Sequence, residues 1–208
     1  MSTSAPKGRL VLIRHGSTEW SRSGQHTGRT DLPLLPEGEQ DAYAVGRTLA
    51  GRSFALALCS PLMRARRTAE LAGLTPDPSD DLMEWDYGGY EGLTTVQIRE
   101  LAQPDWTVFK DGVVPGNTPG ETLEQVANRA RRVVERIHPV LAVGDVTIVA
   151  HGHLLRVLAA VFLDQAPVTG AGLLLDAGSI SVLEFEKDVP AIRTWNWRPD
   201  APAYPMEG

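Results

Sequence analysis

Leu10-Val11-Leu12-Ile13-Arg14-His15-Gly16 decides how this chain is read. Its first four residues form a short, unbroken apolar run, the pattern of a strand buried on both faces. Arginine and histidine side by side at the end of such a strand, followed by glycine, suit neither packing nor a simple turn. They suit a place where a dianion is held and attacked. A second run, Val146-Thr147-Ile148-Val149-Ala150, leads into His151-Gly152. Two strand-end histidines, each followed by glycine, point to one histidine-based site.

Between and around these runs, apolar stretches alternate with helical patterns. Pro36-Glu37-Gly38-Glu39 has the proline and acids of a first helical turn, and the spacing predicts a helix to about Ala50. Ala55 to Cys59 reads as a strand. Ser60-Pro61 reads as the cap and first residue of a helix carrying Arg64, Arg66 and Arg67 to about Gly73. Thr75 to Asp81 is expected to be a polar loop, and Leu82 to Trp85 a short strand. Thr94 to Leu101 reads as a short helix. Pro104 to Gly120, rich in proline and glycine and anchored by Trp106 and Phe109, is expected to form a lid. Glu121 to about Val143 reads as a long helix that Pro139 shortens or kinks. A helix is expected from Gly152 to Leu163, a strand over Ser179–Phe185 and a weaker one over Ala191–Trp195. Strands separated by helices imply right-handed βαβ units. The expected fold is therefore α/β: one domain over 1–208, a three-layer αβα sandwich around a mostly parallel sheet. Residues 1–8 and 198–208 are expected to be loose tails.

Composition narrows the function. Twenty basic and twenty-six acidic residues give a net charge of −6, which argues against nucleic acid as a partner. No stretch reaches the ~20 apolar residues of a membrane span, and Met1 to Arg9 lacks a signal peptide's apolar core. One cysteine, Cys59, permits no internal disulfide; a cytoplasmic location fits. Cys59 ends an apolar run and reads as a buried structural thiol. His151-Gly152-His153 has no cysteine or carboxylate partners at zinc spacing, so neither a metal nor another cofactor is expected.

In a sheet of this kind ligands sit beyond the carboxyl ends of the strands. One pocket would then receive Arg14, His15, Arg64 and His151. A neutral imidazole can attack phosphorus, and guanidinium forks suit the three oxygens of a transferring phosphoryl group. Backbone N–H groups at the start of the helix after His151 add donors, Gly152 first among them. A proton must also reach the leaving oxygen. Glu84 lies between apolar Met83 and Trp85, whose desolvating effect would favour a protonated carboxyl; Asp86 is its rival on these grounds.

Several blocks, in order, resemble one family. They are Leu12-Ile13-Arg14-His15-Gly16-Ser17-Thr18-Glu19-Trp20, Gly24-Gln25-His26-Thr27-Gly28, Asp31-Leu32-Pro33-Leu34, Cys59 to Ala69, Glu84 to Gly92, and Ala150-His151-Gly152-His153. Together they resemble the histidine phosphatase superfamily in its phosphoglycerate mutase-like branch, over most of the chain from Arg9 to Phe185. The resemblance implies that His15 is the phosphorylated nucleophile, that Arg14, Arg64 and His151 form the phosphate pocket, and that Glu84, not Asp86, is the proton donor. It implies no metal. Where the family often has asparagine as a further phosphate contact, this chain has Ser21, a shorter donor. Thr27, Gly28 and His26 are candidate substrate contacts. Mutases of the family carry a longer insert between the acid and the second histidine. The compact interval here, and Trp85-Asp86-Tyr87-Gly88, are similar to the family's phosphatases, including actinobacterial acid phosphatases and sugar-bisphosphatases. Hydrolysis of a small phosphate ester, such as a sugar phosphate or a phosphoglycerate-like acid, is the expected activity. A cofactor-dependent phosphoglycerate mutase and a phospho-ligand-binding module with little catalysis are the alternatives. His138 reads as a surface residue; His153 either lines the pocket entrance or is a helix-start histidine facing solvent or packing locally. Ser179–Phe185 or the Trp195 strand is a candidate edge for pairing into a homodimer.

Overall fold

The computed structural model describes residues 8–200. Its centre is a six-stranded sheet in the order β3-β2-β4-β1-β5-β6, built from β1 (Leu10–Arg14), β2 (Leu56–Cys59), β3 (Asp77–Pro78), β4 (Val146–Ala150), β5 (Ile180–Glu186) and β6 (Val189–Trp197). β1, β2, β3 and β4 are parallel to their neighbours within that group. β5 runs antiparallel to β1, and β6 antiparallel to β5. The sheet is mostly parallel, with an antiparallel hairpin at one edge.

The alternation inside β1 shows why helices cover both faces. Leu10 and Leu12 join a core with Leu58, Ile148 and the apolar stripes of α6 (Leu123–Leu141) and α7 (Gly152–Phe162). Val11 and Ile13 point the other way, into a core with Val149, Cys59 and residues of α2 (Pro36–Leu49) and α3 (Met63–Leu71). Each strand residue thus has an apolar partner layer on its own side. Cys59 is buried, and burial pushes its thiol up to about 12, as suits a packing residue.

Register places the site. Arg14 lies opposite Ala150 across the β1–β4 ladder, so His15 and His151 leave the sheet side by side. Gly16 follows because the chain must pass close to the start of α2: a Cβ there would lie 2.1 Å from the Gly38 carbonyl oxygen.

Four local expectations are corrected. Leu82–Trp85 is not a strand: a 3-10 turn over Asp80–Leu82 runs into irregular chain, and Leu82 and Trp85 are buried by core packing without sheet pairing. The short strand in this region is β3, inside the segment expected to be a loop. Ser60 does not cap a helix from Pro61; α3 begins at Met63 with Leu62 as its cap. Between β1 and α2 lies a one-turn helix, α1 (Glu19–Ser23). β6 is longer than Ala191–Trp195 because a tight turn at Lys187 and Asp188, both in the left-handed region (φ 49° and 70°), folds it back on β5.

Two expected helices are present. α6 runs through Pro139, which does not end it, to Leu141, capped by Thr122 with Gln125 in a reciprocal capping box. α4 (Thr95–Leu101) is present. The segment 104–120 holds a one-turn helix, α5 (Val108–Asp111), and buries Trp106 and Phe109. Of the expected tails, 1–7 and 201–208 lie outside the described residues. Gly8 donates to the Leu141 carbonyl at 2.8 Å, and Arg198 pairs with Asp41. Among the described residues no helix is long and apolar enough to cross a membrane.

Candidate active site

A cleft of about 210 Å³ opens at the carboxyl ends of β1 and β4. Of the residues singled out in the sequence, Arg14, His15, Ser21, His26, Thr27, Glu84 and Gly152 line it. Arg64, His151 and Gly28 lie behind that lining.

His15 is buried, and its Nδ1 sits 2.8 Å from the Gly16 carbonyl oxygen. A carbonyl only accepts, so Nδ1 carries the hydrogen and Nε2 keeps its lone pair. Burial, then the nearby Arg64 and Arg14 charges, hold this imidazole well below the usual histidine range. The ring is neutral at physiological pH, with one free nitrogen.

Arg14 donates from Nη1 to the Leu175 carbonyl, while its buried Nε has no partner among the described residues. An unpartnered guanidinium N–H is costly unless an anion completes it. Gly152 stands beside it: a Cβ there would meet Arg14 Nε at 3.4 Å.

Glu84 is buried and fixed at the start of α7. Its Oε1 accepts from the N–H groups of Trp85 and Leu154, both at 2.9 Å, and Oε2 accepts from His153 N–H at 3.0 Å. The carboxyl group is therefore held by polar contacts, where the sequence had suggested apolar neighbours. Oε1 has both lone pairs engaged and Oε2 has one left. Glu84 occupies the N–H groups of His153 and Leu154, leaving that of Gly152 as the free donor of the first turn. Asp86, by contrast, accepts from Gly88 N–H and the Thr118 hydroxyl and holds a turn outside the cleft.

Arg64 is fully buried and makes four hydrogen bonds: Nε to His151 Nδ1 at 3.1 Å, Nη1 to the Thr30 carbonyl, and Nη2 to the Thr27 and Gly28 carbonyls. It ties the 27–30 loop to the second histidine. Because Arg64 Nε only donates, His151 Nδ1 accepts. The proton of this neutral ring sits on Nε2, 2.7 Å from Ser60 Oγ. Burial, then Arg64, also hold His151 well below the ordinary histidine range. The two imidazoles meet edge-on, centroids 5.1 Å apart.

Two expected contacts are already spent locally. The Ser21 hydroxyl accepts from Thr18 N–H and donates to the Thr18 carbonyl, closing the capping box of α1. Gly28 N–H donates to both Glu91 carboxylate oxygens at 3.0 Å. His26 does face the cleft, donating from Nδ1 to the Leu93 carbonyl at 2.9 Å. Its ring packs against Tyr87, Trp106 and His153. His153 lies in the cleft wall with its Nδ1 at the Tyr87 hydroxyl, not on the outer surface. His138 is exposed.

Sequence reasoning missed Ser60, Tyr87 and Arg156 as members of the site and left His153 open between the pocket entrance and a local helix-start position. Ser60 was assigned to a helix cap. Arg156 carried a usable signal: it lies four residues after Gly152 in an expected helix, hence on the same face. Among the described residues, no group of three or more His, Cys, Asp or Glu is arranged to hold a metal ion.

The description "histidine phosphatase superfamily (branch 1)" fits residues 10–198, by a match to that family's model. The chain belongs to this superfamily. An acid phosphatase of Mycobacterium tuberculosis is 39% identical over 87% of this chain and 88% of its own. Sedoheptulose 1,7-bisphosphatase of Saccharomyces cerevisiae is 35% identical over 74% of this chain and 67% of its own. The solved structure of a Mycobacterium tuberculosis open reading frame product, Rv3214, superposes with a TM-score of 0.86 at 36% identity, covering 92% of this chain and 98% of that one. Phosphoglycerate mutases dependent on 2,3-bisphosphoglycerate also match. The expected family and its phosphoglycerate mutase-like α/β fold are both shown.

Proposed function

We propose that this superfamily member is a metal-independent phosphomonoesterase that works through a phosphohistidine on His15. The observation that carries the reading is the fixed tautomer of His15: a buried, neutral ring whose Nδ1–H is tied to Gly16, leaving Nε2 as the nucleophile. Nε2 attacks phosphorus, and the bond from phosphorus to the ester oxygen breaks. Arg14, through its unpartnered Nε, and the Gly152 N–H receive the phosphoryl oxygens. Arg64 and His151 support them from behind with positive charge and a fixed wall. Glu84 gives its proton to the leaving oxygen from Oε2, the carboxyl oxygen with a lone pair to spare. In the second half, water attacks the phosphohistidine, Glu84 takes a proton from that water, and inorganic phosphate leaves with His15 restored.

Hydrolysis is favoured over mutase activity by the lining of the cleft. From the interval between Glu84 and His151, Tyr87 and Thr95 reach it, and neither is charged. Lys110 points outward, paired with Asp105. That interval therefore supplies none of the cleft's cations, unlike the longer insert expected of a mutase. The small cleft fits a small phosphorylated sugar or acid, with Thr27 and His26 beside the carbon skeleton. Release of phosphate from p-nitrophenyl phosphate in the presence of a chelator tests the reading. A strict need for a divalent ion, or interconversion of 3- and 2-phosphoglycerate much faster than phosphate release, would replace it.

A further inference from the structure

Arg156 has no part in the mechanism above, yet it lines the same cleft as Arg14 and His15. Its Nε donates to the Gly170 carbonyl at 2.9 Å and its Nη2 to the Ala171 carbonyl at 2.7 Å. Its guanidinium carbon lies 4.7 Å from the centre of the Phe109 ring. The plane of the group is thus fixed while Nη1 has no acceptor among the described residues. Among the described residues no carboxylate pairs with Arg156. The one carboxylate in the cleft lining, Glu84, is tied up by three main-chain donors. Burial lowers the Arg156 pKa, as it does for a cation drawn partly out of water.

Charge and spacing indicate what completes it. Arg156 is the cation of the cleft lining that the phosphoryl group does not engage: Arg14 meets that group directly, and the fully buried Arg64 lies behind it. Arg156 lies four residues beyond Gly152, about 6 Å along the helix axis, and helical side chains lean back toward the N-terminus. Its guanidinium therefore stands about one turn from the phosphoryl position. The wall between carries His26 and His153, both with lowered pKa through burial, hence neutral and suited to hydroxyl groups.

We propose that Arg156 binds a second anionic group of the substrate, so that the preferred ester is a short, hydroxylated phosphate carrying a carboxylate or a second phosphate. This rests on the phosphatase reading of the same site. The test compares matched pairs: 3-phosphoglycerate with glycerol 3-phosphate for a carboxylate, and fructose 1,6-bisphosphate with fructose 6-phosphate for a second phosphate. In at least one pair the native protein should prefer the doubly anionic ester by about 30-fold in kcat/KM, the worth of one charge-assisted contact. The pair that shows it identifies the group. In Arg156→Met that preference should fall to near one, and Arg156→Lys should restore part of it. No preference in either pair, or a preference that survives in Arg156→Met, overturns the proposal. Calorimetric binding of the same four compounds to His15→Ala separates the two readings. Tighter binding of a doubly anionic ligand, lost on adding Arg156→Met, supports the role of Arg156 even if the native protein releases no phosphate. In that case the phosphatase reading alone fails. Equal binding within both pairs overturns the Arg156 proposal independently of activity.

Discussion

His151 Nε2 lies 2.7 Å from Ser60 Oγ, and this one contact, with Arg64 on the opposite nitrogen, fixes both the tautomer and the orientation of the second histidine. Ser60 also accepts from Leu62 N–H, so the hydroxyl joins the turn after β2 to the turn after β4. Both groups are fully buried. Ser60→Ala would leave the His151 Nε2–H without an acceptor, at a cost of about 1–3 kcal/mol. Urea unfolding should register that loss, and kcat/KM should fall about 10-fold as the ring loosens. Unchanged stability together with unchanged kcat/KM would show that the Ser60 contact does not hold the ring.

Glu84→Gln separates the two halves of the reaction. Leaving groups that need a proton should be hydrolysed about 100- to 10,000-fold more slowly. p-Nitrophenolate leaves without protonation, so the first half should persist with that ester, and slow attack by water should then limit turnover. Rapid-mixing measurements are expected to show a burst of nitrophenol near one equivalent, followed by a slow phase. Absence of the burst together with full steady-state activity on alkyl phosphates would remove Glu84 from the mechanism.

Acid should unfold the protein earlier than its carboxylates alone would dictate. His15 and His151 are held well below 6.5 in the folded chain, largely by burial. The unfolded chain binds a proton on each near 6.5, and the folded chain does not. Unfolding therefore takes up protons, and stability falls as pH drops from 6.5 toward the depressed folded values. Each such histidine removes about 1.4 kcal/mol per pH unit in that window. Urea titrations at pH 7.5, 6.0 and 5.0 should yield a slope of about 1.5 protons or more near the middle value, since each of these rings is about three-quarters protonated in the unfolded chain there. A flat profile would mean that these rings are protonated in the folded state.

What the sequence disclosed, and what it hid, follows from the range of the interactions. Arg14-His15 and His151 were legible because each follows an unbroken apolar run, and parallel pairing carries both to one end of the sheet. Both faces of that sheet could be anticipated from its fully apolar strands. Leu82–Trp85 reads as a strand because buried residues such as Leu82 and Trp85 look alike whether a sheet or a loop buries them. The β5–β6 turn carries Lys187 and Asp188 at positive φ, with no glycine to announce it. Ser21 matched a phosphate contact and Gly28 a substrate contact, yet their donors are consumed by Thr18 and Glu91. Glu91 lies 63 residues from Gly28, a distance at which no local pattern operates. Ser60 failed for the opposite reason: a plausible local role as a helix cap concealed its partner across the sheet.

Covalent capture of His15 tests the central claim most directly. Glu84→Gln protein, mixed with p-nitrophenyl phosphate and quenched in base, should carry one phosphoryl group on the peptide containing Arg14-His15-Gly16, stable in alkali and lost in acid. His15→Ala should carry none. Phosphate recovered on another residue, or full turnover by His15→Ala, would contradict the account.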